Sequence, residues 1–244
     1  MEIPSSLSTD VLICGAGPGG VAAALSVARA GRRCILIDPT DWIGGQLTSQ
    51  AVPPDENRWI ERSSGVQGAT ASYLAFRDAV RQWYRDHRPL NDDARSNTEL
   101  NPGGGWVSRL CFEPVVGVAV LNAMLSPFVQ RGLITILLDH EPIAADVDHD
   151  RVRAVTLANH AGETVTIEAR YFLDATELGD LLPLTNAGYR VGAEHANTFG
   201  ELHGRPDADD PLDQQAISWC FAVEHRPGEN YTVDRPARYD FWRD

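Results

Sequence analysis

The 244-residue chain contains no lysine: its 21 strongly basic side chains are all arginine. That excludes a P-loop, whose ending is Gly-Lys-Ser/Thr, and it excludes a lysine Schiff base. Cysteine is scarce: Cys14, Cys34, Cys111 and Cys220, with no Cys-x-x-Cys pair. There is therefore no local redox dithiol and no zinc ribbon, and the cytoplasm is the expected compartment. Positive charge is in deficit. The formal net charge is −13 and the pI about 4.9, which argues against nucleic acid or an anionic membrane surface as partner. An anionic small ligand stays compatible, because backbone N–H groups hold phosphate inside an acidic protein. No apolar run approaches the length of a membrane span, and MEIPSSLSTD lacks the positive region of a secretion signal. With 43% hydrophobic and 23% charged residues, the composition is that of a soluble globular chain forming one large domain or two modest ones.

The most informative stretch is DVLICGAGPGGVAAALSVARAGRRCILIDP, residues 10–39. A short apolar run at 10–14 predicts a buried strand. Apolar residues at helical spacing over 18–30, with Pro18 in the first turn and Gly31 as the stop, predict a helix. RCILI at 33–37 predicts a second strand, so the unit is β-α-β with parallel strands. Between strand and helix lies Gly15-Ala16-Gly17-Pro18-Gly19-Gly20, a full G-x-G-x-x-G. Gly15 permits the tight turn, Gly17 the approach of a pyrophosphate and Gly20 close helix–strand packing. Asp38, followed by Pro39, lies 18 residues beyond Gly20, near the spacing of an acid that accepts from ribose hydroxyls. A carboxylate there repels a 2′-phosphate and disfavours NADP. The fingerprint reads ADP, so these residues alone leave FAD and NAD open.

Further along, residues 39–68 read as loop, 71–88 as an amphipathic helix, the polar stretch DDARSNTELNPGGG as an excursion loop, and 114–131 as a helix that Pro127 disturbs in its last turn. ITILLD at 134–139 predicts a strand. IAADVD at 143–148, VRAVTLA at 152–158 and TVTIEA at 164–169 predict an antiparallel meander, followed by a strand at 171–176. AISWCFAVE at 216–224 reads as a further strand.

The ordered set GAGPGG, IGGQLT, FEP and DATxxGD resembles the FAD-dependent oxidoreductase family of the glutathione-reductase-like, two-dinucleotide-binding-domain flavoproteins, over residues 8–195. The resemblance implies an α/β fold: a Rossmann-like parallel sheet with the βαβ motif and an antiparallel meander, plus a partial substrate domain. It implies an FAD-binding domain over 8–195 with an excursion at 46–112, and the start of an incomplete substrate domain over 196–244. FAD is the implied cofactor. Gly15, Ala16, Gly17, Pro18, Gly19 and Gly20 would surround its pyrophosphate, and Asp38 and Pro39 the adenosine ribose. Gly44, Gly45, Gln46 and Thr48 would pass near the flavin and ribityl chain. Ala175 and Thr176 would lie on the adenine–pyrophosphate side, with Asp180 leading back toward the flavin. Glu177 stands where the family's Ala-Thr-Gly turn has glycine. The implied activity is hydride transfer between a small organic substrate and flavin. The alternative is a truncated or split flavoprotein chain, binding FAD or its ADP moiety, that needs a partner chain or homo-oligomer for activity.

No catalytic acid or base is identified and no metal is expected. His195 reads as a solvated loop histidine, and His140, His149 and His160 as exposed turn residues. Glu113 reads as a helix cap through the dipole. Trp42, Trp59, Trp83 and Trp106 read as core packing, and Cys14, Cys34 and Cys111 as buried thiols.

Overall fold

The structure is a computed structural model and describes residues 5–54, 56–57, 59–61, 68–217, 220 and 223–243. Its centre is a six-stranded sheet. The strands are β1 (Ser6–Cys14), β2 (Cys34–Asp38), β3 (Ile134–Leu138), β4 (His140–Asp148), β5 (Arg151–Asn159) and β6 (Thr164–Asp174), in the order β3-β2-β1-β6-β5-β4. The pairs β1–β2, β2–β3 and β1–β6 are parallel, whereas β5–β6 and β4–β5 are antiparallel.

Side chains alternate across a strand, so each central strand serves two cores. Val11, Ile13, Cys34 and Leu36 face the helices, in one cluster with Val21, Val80 and Leu125. Leu12, Cys14, Ile35 and Ile37 face the other way and pack with Val155, Leu157, Val165 and Ile167 of the meander. Both faces of β1 and β2 are thereby covered, which is why their sequences are continuously apolar. Each fully buried Leu or Ile here contributes ~1.5–3 kcal/mol of transfer free energy.

Helix α1 (Pro18–Arg29) buries Gly20, Val21, Ala24, Leu25 and Ala28. Small residues four apart let its backbone lie close to the sheet. Helix α2 (Ala71–His87) is capped by Thr70, whose side chain accepts from the Tyr73 N–H. The short α3 (Asp92–Ser96) is capped by Asn91, and α4 (Pro114–Gln130) closes the helical layer. After Leu181, which opens α5 (Leu181–Leu184), no described residue is buried. The elements there are α6 (Ala196–Phe199) and α7 (Tyr239–Arg243), with isolated bridges Ala193–Asp210 and His195–Arg205.

Several expectations are corrected. The strands expected at 164–169 and 171–176 are one strand, because β6 leaves the meander and continues alongside β1. For the same reason β1 begins at Ser6, pairing with Thr166, rather than at residue 10. The stretch read as loop after 91 holds α3. Helix α4 runs through Pro127 to Gln130. His140 is buried, its Nδ1 2.7 Å from the Leu138 carbonyl oxygen. Trp59 and Trp106 are exposed rather than core residues, Trp106 at 94%. The strand expected at 216–224 lies partly outside the described residues, and its described positions are irregular.

Candidate dinucleotide-binding crevice

The site forms where β1, β2 and β6 end side by side. Gly15 leaves β1 with φ +96°, and a Cβ there would lie 2.1 Å from the Ala175 carbonyl oxygen. The turn after β1 is thus pressed against the turn after β6, and only glycine meets both demands. A Cβ on Gly20 would lie 1.9 Å from the Gly15 carbonyl oxygen, so α1 sits hard on its own entry turn. Gly17 differs. It is the helix N-cap with ordinary φ of −61°, and a Cβ would meet only the Glu177 Oε1, at 3.3 Å. The protein leaves that position open in front of the α1 N-terminus, where first-turn N–H groups and the dipole favour an anion.

Ala16 ties the pieces together. Its N–H donates to Asp38 Oδ2 at 2.8 Å, and its carbonyl accepts from the Gly44 N–H at 2.7 Å. Asp38 Oδ1 accepts from the Thr40 N–H at 3.0 Å and hydroxyl at 2.7 Å. Asp38 is 8% exposed, so the acid at the end of β2 braces the crevice and keeps limited acceptor capacity toward it. Beyond Gly44 a 3-10 turn (Gly45–Leu47) rests on α4. A Cβ on Gly117 would lie 3.1 Å from the Leu47 carbonyl oxygen. Thr48 is buried and donates its hydroxyl to the Ile43 carbonyl at 2.6 Å.

The third stretch is organised by Asp174, whose role the sequence reading missed. Its Oδ1 accepts from the Thr176 N–H and hydroxyl, at 3.1 and 2.6 Å, and its Oδ2 from the Leu181 N–H at 2.9 Å. Thr176 Oγ1 accepts in turn from the Asp180 N–H at 2.8 Å. This network shapes the turn in which Ala175 sits.

A cavity of about 270 Å³ joins these parts. Gly15, Gly17, Asp38, Pro39, Gly45, Ala175, Thr176 and Asp180 line it, together with Thr40, Ser49, Gln50, Glu177 and Leu178. Ala16, Pro18, Gly19, Gly20, Gly44, Gln46 and Thr48 lie outside its lining. Glu141 and Pro142 of β4 also line it. No local signal marks them, because only the curl of the meander brings β4 there. The lining carries Asp38, Glu141, Glu177 and Asp180 and no arginine. Negative charge on a ligand is therefore met by backbone N–H groups and a helix end, not by cationic side chains. The volume sits just below the usual range for small-molecule sites, about 300–1,000 Å³, and suits the adenosine–phosphate end of a dinucleotide. A larger cavity of about 550 Å³, lined by Glu56, Glu61, Glu99 and Trp106 among others, contains none of these residues.

The other candidates are spent structurally. Burial pushes the Cys14 thiol up to about 12, with Asp174 and Asp180 adding to the effect, and burial pushes Cys34 up to about 11. Neither is a nucleophile at neutral pH. Cys14, Cys34 and Cys111 are buried and Cys220 is exposed. A thiol reagent at pH 8 is accordingly expected to label Cys220 rapidly and the other three only on unfolding. Rapid labelling of Cys14 would contradict its buried place at the end of β1. Glu113 occupies the α4 N-cap position without a side-chain capping bond. Its carboxylate instead accepts from the Tyr84 hydroxyl at 3.1 Å and pairs with Arg88 at 3.1 Å. His195 caps α6, its Nδ1 accepting from the Asn197 N–H at 3.2 Å. Among the described residues there is no group of three potential metal ligands, and no helix is long and apolar enough to cross a membrane.

The ferredoxin–NADP reductase of Paraburkholderia phytofirmans is 29% identical over 169 residues, covering 67% of this chain and 45% of that one. The urocanate reductase of Eggerthella lenta is 35% identical over 72 residues, 27% of this chain and 11% of that one. Among solved structures, Thermovibrio ammonificans THI4 shares 17% identity with a TM-score of 0.43, covering 77% of this chain and 66% of that one. The chain spans less than half the length of the two curated relatives. A family model described as FAD dependent oxidoreductase matches residues 10–244. The chain belongs to the FAD-dependent oxidoreductase family, and its cofactor is FAD.

Proposed function

We propose that this chain holds FAD in the crevice at the ends of β1, β2 and β6 and takes part in hydride transfer between a small organic substrate and the flavin. The observation that carries the reading is the convergence of three distant stretches on one cavity: Gly15–Gly17, Asp38 with Gly45, and Ala175–Thr176. The residues present fit the group. Gly17 leaves a place that a Cβ would fill, in front of a helix N-terminus. Asp38 and Pro39 would flank the ribose, Gly15, Gly17 and the α1 N-terminus the pyrophosphate, and Ala175 and Thr176 the adenine–pyrophosphate side. Gly44, Gln46 and Thr48 fix the 3-10 turn along which the cofactor would leave the crevice toward its flavin end.

When bound, FAD supplies the redox chemistry, exchanging hydride at its ring. The chain's part is to bind and orient it. The buried thiols Cys14, Cys34 and Cys111, none of them in a disulfide, support a cytoplasmic setting. Exposed apolar side chains along the C-terminal stretch, among them Phe199, Leu202, Leu212, Ile217, Phe241 and Trp242, favour a second reading, in which a partner chain or a second copy covers them and completes the substrate side.

The test is anaerobic. The FAD-loaded chain is mixed with small reduced organic compounds, amines and hydroxy acids among them, and with reduced nicotinamides, and the visible flavin band is followed. Bleaching by one compound class is the expected result. A loaded chain that dithionite bleaches but no compound class does would contradict independent activity and favour the second reading.

A further inference from the structure

Glu177 sits in the crevice in an unusual way. Its Oε1 lies 3.3 Å from where a Gly17 Cβ would be and 3.1 Å from where a Gly45 Cβ would be. Gly17 leaves open the space in front of the α1 N-terminus, and Gly45 packs against it, its Cβ position 3.0 Å from the Gly17 Cα. The Glu177 carboxylate reaches both positions. Glu177 is exposed and makes no hydrogen bond or ion pair with any described residue. Its neighbours on the same turn are committed: Asp174 and Thr176 hold the turn, and the Asp180 N–H is bound to Thr176. No described residue holds the carboxylate of Glu177, which rests where an anion is electrostatically favoured.

We infer that Glu177 lies across the phosphate approach and opposes dinucleotide binding by charge, so that it sets the affinity of the crevice. The inference rests on the FAD reading above. On binding, the carboxylate must turn out to solvent. That movement breaks no hydrogen bond or ion pair with a described residue, but the displaced charge stays near a pyrophosphate with no arginine in the lining to offset it. Repulsion between like charges a few ångströms apart in a partly hydrated cleft changes affinity by a modest factor, and salt screens it. The residue therefore makes the site weaker and more salt-dependent than the glycine cradle alone would be.

Glu177→Gln tests this, since it keeps the shape and removes the charge. FAD is titrated into the wild-type chain and the variant at low and high salt, with flavin fluorescence and absorbance as readouts and the thermal midpoint as a folding control. The expected result is binding about three- to tenfold tighter in the variant at low salt, with the difference shrinking as salt rises. Equal or weaker binding by Glu177→Gln, with FAD bound by the wild type, would overturn the inference, and weaker binding would assign Glu177 a supporting contact to the cofactor. FAD binding by neither protein would overturn the cofactor reading itself.

Discussion

Gly17→Val is expected to lower FAD affinity at least ~100-fold while leaving the thermal midpoint within about 3 °C of wild type. The two halves of this expectation come from one environment. Gly17 has φ −61° and ψ −177°, which valine adopts without strain. Its only near neighbour on the Cβ side is the end of an exposed glutamate side chain, which can yield. The protein has room for the side chain, and the pyrophosphate does not. Gly15 and Gly20 are the contrast. At those positions a Cβ would fall 2.1 and 1.9 Å from backbone oxygens, so even alanine disrupts the turn and confounds binding with folding. Flavin titration beside thermal unfolding separates the cases. Full flavin binding by Gly17→Val would mean that the phosphates lie elsewhere.

Arg77→Ala is expected to destabilise the chain by ~3–5 kcal/mol, through loss of a buried ion network. Arg77 bridges Glu56 and Glu61, and the Arg77 and Glu56 side chains are each only 2% exposed. Arg81 pairs with Glu61 at 2.7 Å and donates through Nε to the Leu100 carbonyl at 2.8 Å. Tyr73 and Ser108 donate to Glu56 at 2.6 and 3.3 Å. Burial, with Arg81 nearby, lowers Arg77 to about 10, so it stays a cation at neutral pH. Removing it leaves two carboxylates facing each other with too few donors, which costs more than the pair itself contributes. For a chain of this size the midpoint should fall by roughly 10 °C. Arg77→Lys should recover only part of the loss, because an ammonium cannot span both carboxylates as a guanidinium does. A shift under about 2 °C for Arg77→Ala would show that the network does not hold α2 to the segment that carries Glu56 and Glu61.

The sequence shows the local parts of this architecture clearly and the long-range ones poorly. The βαβ unit is legible because Gly15, Pro18 and Gly31 punctuate it and because Val11–Cys14 and Cys34–Ile37 are apolar on both faces. The continuation of β6 past Arg170 is not, since a charged residue in a strand reads as an end. Only pairing of Tyr171–Asp174 with Val11–Cys14 sustains it. That pairing brings Ala175 under Gly15, so the decisive contact of the site is non-local. Asp38 was found by spacing, but its bonds to Ala16 and Thr40 depend on where the Gly44 turn returns. Glu141 carries no signal of its own, for it reaches the cavity by the fold of the meander. Arg77 and Arg81 read as the polar face of an amphipathic helix, and they are buried because Glu56 and Glu61 meet them across a stretch the sequence marks only as loop.

The most direct test of FAD binding in the crevice is an absorption titration of the 244-residue chain with FAD. The expected result is flavin bands that saturate at equimolar cofactor, with a perturbed spectrum and quenched fluorescence on binding. A chain that is well folded by circular dichroism and leaves the spectrum of free FAD unchanged would contradict it.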